Sequence, residues 1–127
     1  MAAGGPIHIM GAGLSGLAAA TTLAKAGIEV HVHDIRADSG QRFDGDFQAL
    51  ENWSTDVDFF DQLNEWGFDT SKFKANEFSK IDLVHPDDKV TEVYTNGVAY
   101  RIVERGTASH TIDQGFKQMA LEAGVNL

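Results

Sequence analysis

Apolar residues along this chain fall into short runs, and the spacing within each run predicts a different kind of element. Ile7, His8, Ile9 and Met10 form a brief, mostly apolar stretch ending in glycine, the pattern of a strand buried on both faces. Ser15 to Ala26 is rich in Ala and Leu, which favour helix, and Gly27 stands where a left-handed residue would end it. Glu29 to Asp34 alternates β-branched with polar residues and reads as a second strand. From Ile35 to Asn52 the chain is polar, dotted with glycine and without period, so a long loop is expected. Thr55 and Asp58 give a start like a capping box, and Phe59, Leu63 and Trp66 recur at helical spacing before Gly67, which predicts a helix of about three turns. Three strands are expected over 78–85, 89–95 and 98–104, separated by Pro86, Asp87 and Asp88 and by Asn96 and Gly97, the second pair being a hairpin signal. Thr111 and Gln114 match a capping box again, and Ile112, Phe116, Met119, Ala120 and Ala123 line one face of a last helix that Gly124 ends. Val125, Asn126 and Leu127 then begin another apolar run. The sum is an α/β chain: a β-α-β unit, then an inserted helix with an antiparallel β-meander, then a returning helix.

The chemistry concentrates where the first strand meets the first helix. Gly11, Ala12, Gly13, Leu14, Ser15 and Gly16 occupy that junction in the spacing G-x-G-x-x-G. The first glycine permits the tight turn, the second lets a phosphate approach the backbone, and the third lets the helix pack closely on the strands. Asp34 ends the second strand where the ribose hydroxyls of an adenosine would lie, with Ile35 and Arg36 following it. Unpaired amides at the start of the helix attract an anion, so a pyrophosphate can bind here even on an acidic protein. The carboxylate of Asp34 would repel a 2′-phosphate, which argues against NADP. In a plain NAD-binding unit the next strand follows within a βαβ unit of ~30 residues. Here a long excursion with elements of its own separates Asp34 from Val125.

Composition narrows the alternatives. The 127 residues are 43% hydrophobic and 23% charged, ordinary values for a globular domain. The run from Ile9 to Ala24 is interrupted by glycine, Ser15 and threonine and is shorter than the ~20 apolar residues of a membrane span. No Lys or Arg precedes it, so it lacks the charged start of a signal peptide; a soluble, cytoplasmic protein without an integral membrane segment is expected. The absence of Cys removes disulfides, thiolate zinc sites and Cys nucleophiles. A net charge of −9 disfavours nucleic acid as a partner. Both ends are balanced in charge, so the excess of acid lies in the middle of the chain.

Several segments carry a family resemblance. The run from Ile7 to Asp34, the loop Asp38, Ser39, Gly40, Gln41, Arg42 and Phe43, and a closing stretch resemble FAD-dependent oxidoreductases. The closing stretch runs from Val103 through Arg105, Gly106, Ser109 and Asp113 to Ala120, Gly124 and Val125. More narrowly, the match is to the glutathione-reductase-type Rossmann fold in its geranylgeranyl reductase and p-hydroxybenzoate hydroxylase branch. The resemblance implies that FAD is the cofactor and that the β-α-β unit binds its ADP half. It implies cofactor contacts at Gly11, Ala12, Gly13, Leu14, Ser15, Gly16, Asp34, Ile35 and Arg36, and a pyrophosphate contact at Arg42. Asp34 replaces the Glu more usual in the family. On this reading residues 1–36 and 107–127 form an incomplete dinucleotide-binding domain, and 37–106 form an excursion with a cofactor loop and part of a substrate domain. The family's second flavin motif lies beyond Leu127, so no catalytic residue is assigned. The expected partners are a small-molecule substrate, isoprenoid or otherwise unsaturated or aromatic, and the missing C-terminal part of the same enzyme, without which this chain would be inactive. A stand-alone nucleotide-binding module and an NAD-dependent dehydrogenase are the competing readings.

Other chemistry-bearing residues have plainer explanations. His31 and His33 share a strand face without a carboxylate beside them, a poor metal site, and with His8 they read as structural; His110 reads as a loop residue. Asp56, Asp58, Asp61 and Glu65 read as a solvated helix face. Trp53, Phe59, Phe60 and Trp66 could line an apolar pocket, but core packing is the expected role.

Overall fold

The computed structural model describes residues 4–127. Strand β1 (Ile7–Met10), helix α1 (Leu14–Lys25) and strand β2 (Val30–His33) form the parallel unit that the patterning predicts. Ile7 lies opposite Val30 and Met10 opposite His33. Gly27 ends α1 at φ +80°, a left-handed conformation that a side chain would resist. Asn126 bridges His31 in parallel, with Asn126 N–H donating to Val30 at 3.0 Å and Val32 N–H donating to Asn126 at 2.8 Å. The last apolar run therefore starts a third strand beside β2, as in a Rossmann sheet.

Helix α3 (Ile112–Glu122) packs beside α1 on this sheet. Val30 and Val32 from the sheet, Leu17 and Ala20 from α1, and Ile112, Phe116, Met119 and Ala120 from α3 make one buried cluster. β1 is less covered than expected. Ile7 is 38% and Met10 78% exposed. Among the described residues β1 pairs only with β2, so a strand patterned for burial on both faces keeps an open edge.

The antiparallel part is present, with an order that differs from a simple meander. β3 (Phe47–Glu51), β4 (Ala75–Phe78) and β7 (Tyr100–Glu104) form a sheet in the order β3-β7-β4, while β5 (Lys80–Val84) and β6 (Val90–Tyr94) form a separate ribbon. Phe78 lies opposite Tyr100, yet Lys80 lies opposite Tyr94, so Ser79 alone faces the segment 95–99. Thr95 N–H donates to Ser79 and Ala99 N–H to Phe78 across this extrusion. Asn96 and Gly97 thus sit in a large bulge between two strands of one direction, and the real hairpin turn is at Pro86 to Asp88. β3 arises inside the expected loop. Its residues Phe47, Gln48, Ala49, Leu50 and Glu51 carry no apolar alternation, and pairing with β7 rather than burial defines it.

Helix α2 (Phe59–Glu65) is seven residues long, shorter than expected. Its cap is Asp58, which accepts from the N–H groups of Phe60 and Asp61, while the Thr55 hydroxyl donates to Val57 instead. Arg101 on β7 grips the same Asp58 carboxylate with two guanidinium nitrogens at 2.9 and 3.0 Å. Asp58 therefore leaves the solvated face expected for it. Trp53 and Trp66 are each 59% exposed, so they do not serve as core anchors; Leu63, Phe68 and Phe73 do. Among the described residues no helix is long and apolar enough to cross a membrane.

Candidate dinucleotide site

The glycine turn is built as its spacing requires. Gly11 has φ +111°, and its N–H donates to the His33 carbonyl at 2.7 Å, tying the turn to the end of β2. A β-carbon on Gly16 would lie 2.0 Å from the Gly11 carbonyl oxygen, so α1 touches the turn directly. Above Gly13 a β-carbon would meet nothing within 4 Å. Gly13 is also the N-cap of α1 and offers no side-chain cap, and no acid stands in the first turn. The amides at the helix start therefore face open space with the positive end of the helix dipole behind them. Ala12 is buried, Leu14 packs against the core, and Ser15 is exposed.

Asp34 is locked onto this turn. Its carboxylate accepts the Arg36 N–H at 2.8 Å and the Ala12 N–H at 2.7 Å. These two backbone donors, Arg36 first, hold its pKa below the ordinary Asp value. The remaining lone pairs of an ionised carboxylate can accept two hydroxyls, which suits a ribose.

From Asp34 the chain crosses in front of α3 as a strap ending in a 3-10 turn, Gln41–Phe43. Two adjoining cavities flank it. One, of about 360 Å³, is lined by Ala12, Val32, Asp34, Lys117, Leu121 and Leu127 among others. The second, of about 180 Å³, lies between Gly13, Arg42, Phe43, Arg105 and Asp113. Asp34 and Arg36 line both, and Arg42 lines the second. Ile35 lines neither cavity. It is 95% exposed and borders a groove with Met10, Gly11, His33, Asp34 and Arg36.

Side chains of α3 hold the strap. Asp38 accepts from Lys117 Nζ at 2.7 Å and from Gln114 Nε2 at 3.1 Å, and Gln114 also donates to the Ser39 carbonyl. Gln114 thereby leaves the reciprocal capping box; only the Thr111 half forms, with Thr111 accepting from the Gln114 N–H. The Lys117 hydrogen bond in particular holds Asp38 below the ordinary Asp value. Asp34 and Asp38 both have lowered values in the fold, so each stabilises it when ionised. That contribution is complete above the unfolded Asp value of about 4 and is lost as pH falls through the lower folded values. Thermal melting between pH 6 and pH 2 should show the Asp38→Asn variant losing less stability than the unsubstituted protein on acidification. Equal slopes would remove Asp38 from the account.

His8, His31 and His33 form a stacked group: His8 and His33 approach at 2.9 Å between ring nitrogens, and the His8 and His31 ring centroids lie 5.3 Å apart. His31 pairs with Glu29 and His110 with Glu104. Among the described residues no three His, Cys, Asp or Glu could hold a metal ion.

Comparison with known proteins agrees with this geometry. Residues 9–46 match the family described as NAD(P)-binding Rossmann-like domain, which contains the glycine turn, Asp34 and the strap through Arg42. A crystal structure of a point mutant of 2-methyl-3-hydroxypyridine-5-carboxylic acid oxygenase shares the fold, with TM-score 0.64 at 21% identity over 94% of this chain and 30% of that one. This chain shares the fold of that oxygenase, and its residues 9–46 are similar to an NAD(P)-binding Rossmann-like domain. The tetrameric form of the same oxygenase gives TM-score 0.63 at 22% identity over 94% of this chain and 29% of that one. Among curated proteins, hydroxysqualene dehydroxylase of Rhodopseudomonas palustris (strain ATCC BAA-98 / CGA009) is 51% identical over 43 residues, 34% of this chain and 10% of that protein. The enzyme of that name from Sinorhizobium fredii (strain NBRC 101917 / NGR234) is 42% identical over 50 residues, 39% of this chain and 12% of that protein. The chain thus spans 10–12% of the length of these curated relatives. The shared fold extends over nearly the whole chain, including the antiparallel sheet, and its first segment is the one similar to an NAD(P)-binding Rossmann-like domain.

Proposed function

We propose that this chain binds the ADP half of FAD for a flavin-dependent oxidoreductase acting on an isoprenoid or other unsaturated or aromatic small molecule. The observation that carries the reading is the Ala12 N–H bond to Asp34, which holds a carboxylate beside an uncapped helix start and supports a ribose role for it. The fit to the cofactor is favourable. Gly13 leaves room for a diphosphate against the α1 amides, Asp34 offers acceptors to the ribose, and Arg42 brings positive charge to the far side of the same cavity. Among the described residues Arg101 and Arg105 are committed to carboxylates, whereas Arg36 and Arg42 form no ion pair with one. The adjoining 360 Å³ cavity, with Val32, Leu121 and Leu127, offers an apolar seat for adenine beside Asp34. When bound, the flavin supplies the hydride or electron-pair chemistry, and the groups described here bind and orient it. The relationship to hydroxysqualene dehydroxylases supports an isoprenoid substrate over the other choices.

Titration of the purified protein with ADP, FAD, NAD and 2′-phospho-ADP tests this. ADP and FAD should bind and 2′-phospho-ADP should bind more weakly, because Asp34 repels the added phosphate. The Gly13→Val variant should bind ADP about tenfold or more weakly, since its side chain fills the phosphate approach. Unchanged ADP affinity in that variant would refute the site. Tight NAD binding with no retained absorbance at ~450 nm after FAD is added would favour a dehydrogenase instead.

A further inference from the structure

We propose that Arg105 and Asp113 are positioning residues for the diphosphate, acting through Phe43 on Arg42; this rests on the dinucleotide reading above. The Asp113 side chain is fully buried and accepts three hydrogen bonds, from Arg105 Nε at 2.8 Å, Arg105 Nη2 at 2.8 Å and the Gly106 N–H at 3.0 Å. The third guanidinium nitrogen, Nη1, donates to Gln48 Oε1 on β3 at 2.7 Å. A planar fork held at all three nitrogens has one orientation. Over it lies the Phe43 ring, 4.7 Å from the Arg105 guanidinium carbon, and the Arg42 guanidinium stands 5.3 Å from the same ring.

The backbone of the strap is fixed at the same place. Gly40, which starts the 3-10 turn, has φ +81°, and a β-carbon there would lie 2.7 Å from the Asp113 β-carbon and 2.5 Å from the Gly106 carbonyl. The turn carrying Arg42 is thus seated on Asp113 at one end and on Arg105 through Phe43 at the other. Arg42 is exposed and has no carboxylate partner among the described residues, so the Phe43 ring is the feature that orients it. A buried ion pair need not add stability over an apolar pair of the same shape, but it does fix geometry. Here the geometry fixed is that of the arginine facing the α1 amides across the 180 Å³ cavity.

ADP affinity and thermal midpoint are measured on the purified protein for Arg42→Ala, Arg105→Lys, Phe43→Leu and each of the last two combined with Arg42→Ala. Lys keeps the charge of Arg105 but cannot form the fork, and Phe43→Leu removes the ring while leaving the buried pair intact. Arg105→Lys and Phe43→Leu should each weaken ADP by roughly three- to tenfold, and neither should weaken it further once Arg42 is Ala, the non-additivity of groups acting as a unit. Multiplying losses would overturn the proposal by showing that Arg105 meets the ligand independently. Wild-type affinity in both single variants, with only the thermal midpoint lowered, would overturn it by showing a purely structural role. Should Arg105→Lys fail to fold, the Phe43 pair decides alone. Failure of the unsubstituted protein to bind ADP would instead sink the dinucleotide reading itself, and an unaffected Arg42→Ala variant would remove Arg42 from the site.

Discussion

Asp113→Ala is expected to lose about 3–5 kcal/mol of folding stability, the cost of leaving a buried charge without its partner. The carboxylate is fully buried and is the only acidic partner that Arg105 has among the described ion pairs. Its removal strands two guanidinium nitrogens and the Gly106 N–H together, in a place where the Arg105 side chain is only 13% exposed and water has little access. Denaturant unfolding gives the measurement: the midpoint should drop with little change in slope. The paired variant Arg105→Met with Asp113→Leu should recover part of the loss, because it removes both charges. A loss under about 1 kcal/mol for Asp113→Ala would mean that solvent reaches Arg105, as it does in exposed pairs.

Gly16→Val is the second large effect, and it contrasts with Gly13→Val within one motif. At Gly16 the new β-carbon meets backbone, 2.0 Å from the Gly11 oxygen and 3.2 Å from its carbonyl carbon, with Ile9 Cγ2 at 3.5 Å. Backbone cannot rotate aside as a flexible side chain would. Gly11 is itself fixed at φ +111° by its bond to His33. Either α1 lifts away from the sheet or the turn deforms; overpacking of this kind costs about 1–3 kcal/mol and occasionally more. The expected result is a lowered thermal midpoint together with loss of measurable ADP binding. Gly13→Val, whose β-carbon enters open space, should keep its thermal midpoint and lose affinity alone. If both variants melt like the unsubstituted protein, the close contact at Gly16 does not exist in solution.

The two glycines also show what could be read in advance. Spacing alone located Gly11, Gly13, Gly16 and Asp34, because a tight turn, a close helix and an acceptor at the end of β2 each demand a particular residue type. The cap of α3 at Thr111 and the end of α1 at Gly27 were legible for the same local reason. What stayed hidden depends on distant partners. β3 has no periodicity of its own and exists through pairing with β7. Asp58 looked like one more surface acid until Arg101, far along the chain, turned out to face it. Gln114 fitted a local capping box, yet its carboxamide serves the strap at Asp38. Arg105 and Asp113 were visible as part of a resembling stretch, but nothing in their spacing says that Phe43 and Gly40 rest on them.

The bulge at 95–99 separates two registers that would otherwise be rigidly linked. Pairing of β7 with β4 is set on one side of it and pairing of β6 with β5 on the other, with only Ser79 between them on the facing chain. Residues gained or lost in this stretch can be absorbed by the extrusion, so the ribbon beyond it is free to vary in length and reach without moving Arg101 or Arg105. The fold in this way keeps an adjustable arm attached to a fixed base of β7, α3 and the strap.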